Sequence, residues 1–243
     1  MPLRLKAVLV HLGCSLAIAL VTLGLVYGLW YPDHLHRALG VTSVFLLLLT
    51  VDVIIGPLLT LLVYKPGKKT LKFDLAVIVL LQLAALGYGL WTVAQGRPAW
   101  LVFNVDRFDV VQVVDIDARR LEEAQPEYRS PSWLGPRWVA AVRPDDAERR
   151  GEILFEALQG GPDIAQRPEQ YRPLDALAEQ LRRRAQPLER LKQFNDPEEI
   201  EKRLAGRSEA AGWLPLKARV QPMVVLLSKD YRVLDIVPLK PWP

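Results

Sequence analysis

Apolar residues divide the chain in two. Up to Ala94 the sequence is almost continuously hydrophobic, whereas from Gln95 onward charged and apolar residues mix as in an ordinary soluble domain. A helix needs roughly 20 apolar residues to cross about 30 Å of hydrocarbon. Three runs meet that length: about Ala7 to Trp30, Val41 to Tyr64 and Leu75 to Ala94. Their length and lack of a polar face argue against buried helices of a soluble core. The pattern predicts a membrane α-helical N-terminal half with three transmembrane helices, residues 1–96, followed by a small soluble α+β domain, residues 97–243.

In the second half, the Val- and aromatic-rich stretch from Trp100 to Val114 predicts strand, folded into a hairpin near Asp106 and Arg107. Asp117 to Ala124 reads as a short helix and Arg137 to Arg143 as a strand stopped by Pro144. Asp145-Asp146 then open a helix reaching Leu158, and Gly160-Gly161-Pro162 break it. A polar helix is expected from about Pro173 to Gln193, with Arg182-Arg183-Arg184 on a solvated face. Another should begin at Asp196-Pro197-Glu198-Glu199. Leu214 to Arg219 leads into a closing hairpin, Met223 to Leu227 and Val233 to Val237, turned at Lys229-Asp230-Tyr231.

Charge changes the picture because of where it lies. The net charge is +4, but seven bases face three acids before Gln95 and twenty-four face twenty-four after it. The soluble half is neutral, so its charge gives no case for nucleic-acid binding. Basic residues of short flanking segments stay on the cytoplasmic side. Arg4 and Lys6 mark the N-terminus, and Lys65, Lys68, Lys69 and Lys72 mark the second joint; the first joint carries one full positive charge, Arg37, beside Asp33, His34 and His36. The expectation is a cytoplasmic N-terminus and a periplasmic C-terminal domain in a bacterial inner membrane. Trp30, Tyr31, Tyr64, Trp91 and Trp100 fall near the expected boundaries, where amphipathic rings settle.

Candidate chemistry is sparse. The one cysteine, Cys14, lies in the first apolar run, so no intramolecular disulfide is possible. His11, His34 and His36 all precede Gln95, so the soluble half alone cannot build a Ser-His-Asp triad or a His/Cys zinc site. No phosphate-cradling loop or nucleophile elbow occurs. The expectation is no enzyme, no catalytic residues, no metal site and no cofactor. The first run is too long for a typical signal-peptide core and lacks a small-residue cleavage ending, so it is read as a retained span. Three spans without an inverted repeat give little basis for a transporter.

One position is costly. Asp52 lies about midway along the second span, where a charged side chain costs several kcal/mol unless neutralised or partnered. Gly56 and Pro57 follow, and Pro57 cannot donate to the Val53 carbonyl, so a kink and a polar notch are expected together. Gln82 on the third span and His11 on the first are polar candidates to face it. Asp52, Gly56, Pro57 and Gln82 are the partner-binding candidates; an internal hydrogen bond holding the helices together is the alternative.

Several segments, in their order and spacing, carry a resemblance. They are Val51-Asp52-Val53-Ile54-Ile55-Gly56-Pro57-Leu58-Leu59-Thr60, Tyr64-Lys65-Pro66-Gly67-Lys68-Lys69, Leu71-Lys72-Phe73-Asp74-Leu75-Ala76, Val102-Phe103-Asn104-Val105-Asp106-Arg107-Phe108 and Leu214-Pro215-Leu216-Lys217-Ala218-Arg219. Together they resemble the type IV pilin accessory protein family over most of the chain. The resemblance implies an inner-membrane chaperone or assembly factor for a type IV pilin, major or minor, without catalysis. A pilin awaiting assembly pairs a hydrophobic helix with a globular head, so the second span would dock the helix through its N-terminal amine or a polar side chain. The soluble domain would contact the head. Expected partners are thus a pilin and the lipid bilayer, with no nucleic acid; nothing in the sequence specifies an oligomeric state. A different class, a membrane-tethered sensor or enzyme with a ligand-binding extracytoplasmic domain, predicts a ligand-sized pocket. A pilin chaperone predicts an exposed apolar patch or strand edge. Trp133, Trp138, Trp213 and Trp242 can serve either, core packing being the commonest use.

Overall fold

The computed structural model describes residues 2–243. It divides into two compact units: one runs to Leu29 and resumes over Val41–Gly96, and the other comprises Trp30–Gly40 and Arg97–Pro243. The division differs in one respect from the expected boundary. The joint between the first two spans, Trp30–Gly40, packs with the soluble half.

In the first unit, α1 (Leu3–Leu23) continues through a wider π-type turn, Gly24–Trp30, as a single 28-residue apolar span. After the short α2 (Leu35–Ala38) of the joint come α3 (Val41–Val63) and α4 (Leu71–Gln95), of 23 and 25 residues. At about 1.5 Å per residue even α3 is about 35 Å long, enough to cross a bilayer. Three threonine hydroxyls within the spans bond to their own backbone. Thr22 donates to the Ile18 and Ala19 carbonyls at 3.0 Å, Thr50 to Leu46 at 2.7 Å and Thr92 to Tyr88 at 3.0 Å.

α3 packs against both α1 and α4. Up to Leu29, the buried positions of the first span are Ser15, Ala19, Thr22 and Val26, a stripe of mostly small residues at intervals of four, three and four that lets backbones approach closely. Against α4, Leu48 lies over Gly89, where a Cβ would come within 2.5 Å of its methyl carbons. The third span, α4, starts at Leu71 rather than Leu75, so Asp74 sits in its first turn, paired with Lys68 at 2.7 Å.

The second unit is built on a seven-stranded mixed sheet of order β4-β3-β1-β2-β5-β6-β7. β1 (Pro98–Asn104) and β2 (Arg107–Gln112) form the expected hairpin, with Phe103 opposite Phe108. β1 is buried along its whole length, which explains its unbroken apolar sequence. β3 (Arg137–Ala141) lies parallel to β1 and is edged by β4 (Tyr171–Arg172). On the other side β5 (Ala210–Lys217) runs parallel to β2, and β6 (Met223–Ser228) and β7 (Val233–Val237) complete an antiparallel meander. One apolar cluster gathers Trp100, Val102, Tyr128, Val139, Tyr171 and Ile153; another gathers Leu191, Ile200, Trp213, Val224, Leu226 and Val237.

Two helices begin where the acids predict. Asp146 caps α5 (Ala147–Leu158) by accepting from the Glu148 and Arg149 amides, and Asp196 caps α7 (Pro197–Leu204) by accepting from Glu198. Gly160, with φ 84, ends the first of these. Other expectations fail for identifiable reasons. The helix expected from Pro173 to Gln193 is cut to α6 (Ala178–Arg184), because Gln186 pairs as an isolated bridge with Trp213 and Pro187 follows it. Asp117 to Ala124 forms only a single helical turn, Leu121–Glu123. Trp100 does not mark a membrane boundary, since its ring is fully buried against Tyr128 and Tyr171. Trp30 and Tyr31 are buried within the second unit as well.

Candidate functional site

The four candidates of the membrane half include one direct pair. Gln82 donates its Nε2 to the Asp52 backbone carbonyl at 3.0 Å and to the Asp52 carboxylate at 3.1 Å. Both neighbours are acceptors, which fixes the amide's orientation with nitrogen toward Asp52. Gly56, one turn further along α3, makes room: a Cβ there would overlap the Gln82 side-chain amide. Pro57 follows, buried, in a helix continuous to Val63. The result is a polar notch in which the Asp52 carboxylate is half-buried. Gln82 Oε1 is buried without a hydrogen-bond partner. His11 belongs elsewhere. Its Nδ1 lies 2.6 Å from the Thr60 hydroxyl, two turns beyond Asp52. Thr60 escaped the sequence reading, although a buried hydroxyl in an apolar run was the available signal.

The notch holds one carboxylate and one amide, groups that exchange hydrogen bonds. Among the described residues no group of His, Cys, Asp and Glu is placed to hold a metal ion.

The joint Trp30–Gly40 is the second distinctive arrangement. The Ala38 carbonyl accepts from the Val220 and Gln221 amides at 3.0 and 3.1 Å, and Leu35 and Ala38 are fully buried. Gly40, with φ 70, closes on Val220, whose Cγ2 would be 2.9 Å from a Cβ. Burial, then the Arg37 charge, holds His34 and His36 below the ordinary histidine value. Burial and then Asp235 raise Asp33. In a three-span chain this joint and everything after Gln95 emerge on the same face of the membrane. Their packing into one unit fits that parity whichever face it is.

In the soluble unit, α5 is positioned by an ion network. Arg167, almost wholly buried, reaches Asp117 at 3.3 Å and Glu156 at 2.6 Å, and Arg119 bridges the same two acids at 2.8 and 2.6 Å. Hydrogen bonds from the two arginines depress the Glu156 carboxyl to about 2. α5 turns Ile153 inward and leaves Leu154, Phe155 and Leu158 exposed as an apolar face. Beside it lies a cavity of about 450 Å³ lined by Val105, Ile153, Leu154 and Ile164 with Arg107, Arg143 and Arg150. Of the four tryptophans considered, Trp213 is core, Trp138 and Trp242 are half-buried, and Trp133 is exposed.

Residues 1–40 match the family model described as Fimbrial assembly protein FimB. A fimbrial assembly protein of serogroup I from Dichelobacter nodosus is 31% identical over 237 residues, covering 94% of this chain and 92% of that protein. Its serogroup E1 counterpart matches at the same identity and coverage. The protein of serogroups C1 and C2 is 32% identical over 117 residues, 47% of this chain and 89% of its own. No solved structure matches.

Proposed function

The chain belongs to the fimbrial assembly protein family, and from that premise we propose that it is a non-catalytic inner-membrane assembly factor for a type IV pilin. The observation that carries the reading is the Asp52–Gln82 notch at mid-span. It presents the half-buried Asp52 carboxylate, an acceptor in a medium with no water to satisfy it, with the Gln82 amide oxygen buried behind it. The complementary partner is a membrane helix bearing a donor, such as a protonated N-terminal amine or a polar side chain, and a pilin's hydrophobic helix is the natural occupant. The apolar face of α5 would meet the globular head. The N-terminus is cytoplasmic and the second unit periplasmic in this scheme, as the lysines of the second joint favour.

The test is crosslinking and piliation in the native host for Asp52→Asn and Asp52→Leu. Loss of pilin adducts with the protein still present at its normal level supports the role. Wild-type adducts and piliation in both variants discard it, and loss of the protein itself reduces Asp52 to a helix-packing residue.

A further inference from the structure

The loop Ser130-Pro131-Ser132-Trp133-Leu134-Gly135-Pro136 exposes its two apolar side chains side by side, Trp133 at 60% and Leu134 at 79%. Exposed apolar pairs are common, but two non-covalent contacts to residues at the ends of apolar spans fix this one's surroundings. The Trp133 ring lies 6.0 Å from the ring of Trp30, the last residue of the first apolar span. The Arg97 guanidinium lies 4.0 Å over the Trp133 ring and donates to the Ser132 carbonyl at 3.4 Å, and Arg97 is two residues beyond the end of α4. Two points at which the chain leaves the hydrocarbon therefore hold the loop.

The loop is also shaped to keep its tip outward. The Leu134 amide donates to the Ser132 hydroxyl at 3.0 Å, Gly135 takes φ 113, and prolines at 131 and 136 stiffen both arms. An indole and a leucine exposed beside the points where the spans emerge match the interfacial layer of a membrane, where amphipathic rings settle, and the buried Arg97 beneath the indole holds it in place. We infer that the Trp133-Leu134 tip inserts into the interfacial layer of the leaflet from which the first and third spans emerge, a lipid contact made by the soluble unit itself. This rests on the three-span membrane reading and is independent of the pilin.

The experiment uses the full chain in phosphatidylcholine and phosphatidylglycerol vesicles, in a Cys14→Ser background, spin-labelled at Leu134→Cys or at Asp230→Cys on the β6–β7 turn. Insertion predicts that the Leu134 label is several-fold less accessible to a water-soluble nickel relaxant than the Asp230 label, and more accessible to oxygen. Equal nickel accessibility at the two sites overturns the proposal. As a second readout, brominated lipid should quench wild-type tryptophan fluorescence more than that of Trp133→Phe; equal quenching also overturns it.

Discussion

Gln82 on α4 gives its side-chain amide to two acceptors of a single residue, the carbonyl and the carboxylate of Asp52 on α3. An aspartate at this depth is tolerable only with a partner. The pair therefore joins two helices and leaves a polar surface at the same place.

Gln82→Leu removes the donor from both acceptors. Interhelical hydrogen bonds in membranes are worth about 0.6–2 kcal/mol, so the variant should lose about that much stability in a denaturation titration in micelles. The double variant Asp52→Leu/Gln82→Leu should recover much of the loss, because matched apolar replacement leaves no stranded polar group. A double variant no more stable than Gln82→Leu would contradict this account of the pair.

Gly56→Ala should act through Gln82. Its Cβ would overlap the amide, which can swing away only by giving up Asp52. The cost should be about 1–2 kcal/mol and should not add to that of Gln82→Ala. Full additivity in a double-mutant cycle would show that Gly56 serves another contact.

Acid should loosen the joint Trp30–Gly40. His34 and His36 take up protons at about 6.5 when released but only at lower pH when docked. The released state thus binds more protons through that window, so docking is strongest above it and weakens as pH falls. Asp33, raised above 3.8, opposes this at the acid end. Hydrogen exchange, corrected for intrinsic rate, should show reduced protection of residues 35–40 between about pH 7 and pH 5. His34→Asn/His36→Gln should flatten the change.

The exposed face of α5 should be expendable for folding. Replacing Leu154, Phe155 and Leu158 with serine should change stability by at most about 0.5 kcal/mol per site, since none is buried. The same triple variant should lose crosslinks to the pilin head. Unchanged crosslinking would remove α5 from the contact.

Local signals in the sequence carried far, and tertiary ones did not. The three spans, the Asn104–Arg107 hairpin turn and the caps at Asp146 and Asp196 follow from runs, periods and side chains acting on their own backbone. The notch was legible because Asp52, Gly56 and Gln82 are each anomalous in apolar surroundings, although only the fold shows that Gln82 and Gly56 compete for the same space. The bond from Val220 to Ala38 links residues far apart in sequence, and no local pattern announces it. Trp100 misled for the same reason. An aromatic just past a span is a boundary marker by position, but β1 carries this one into a core completed by Tyr128 and Tyr171. The helix expected through Gln186 failed where that residue's backbone paired with Trp213 instead.

The most direct measurement places a photocrosslinking amino acid at Ile55, a lipid-accessible position of α3 three residues from Asp52, and irradiates cells of the native host. A pilin adduct at this site, abolished in Asp52→Leu/Gln82→Leu at normal protein level, is the predicted result. Adducts without pilin, or a pilin adduct indifferent to the double substitution, would contradict docking at the notch.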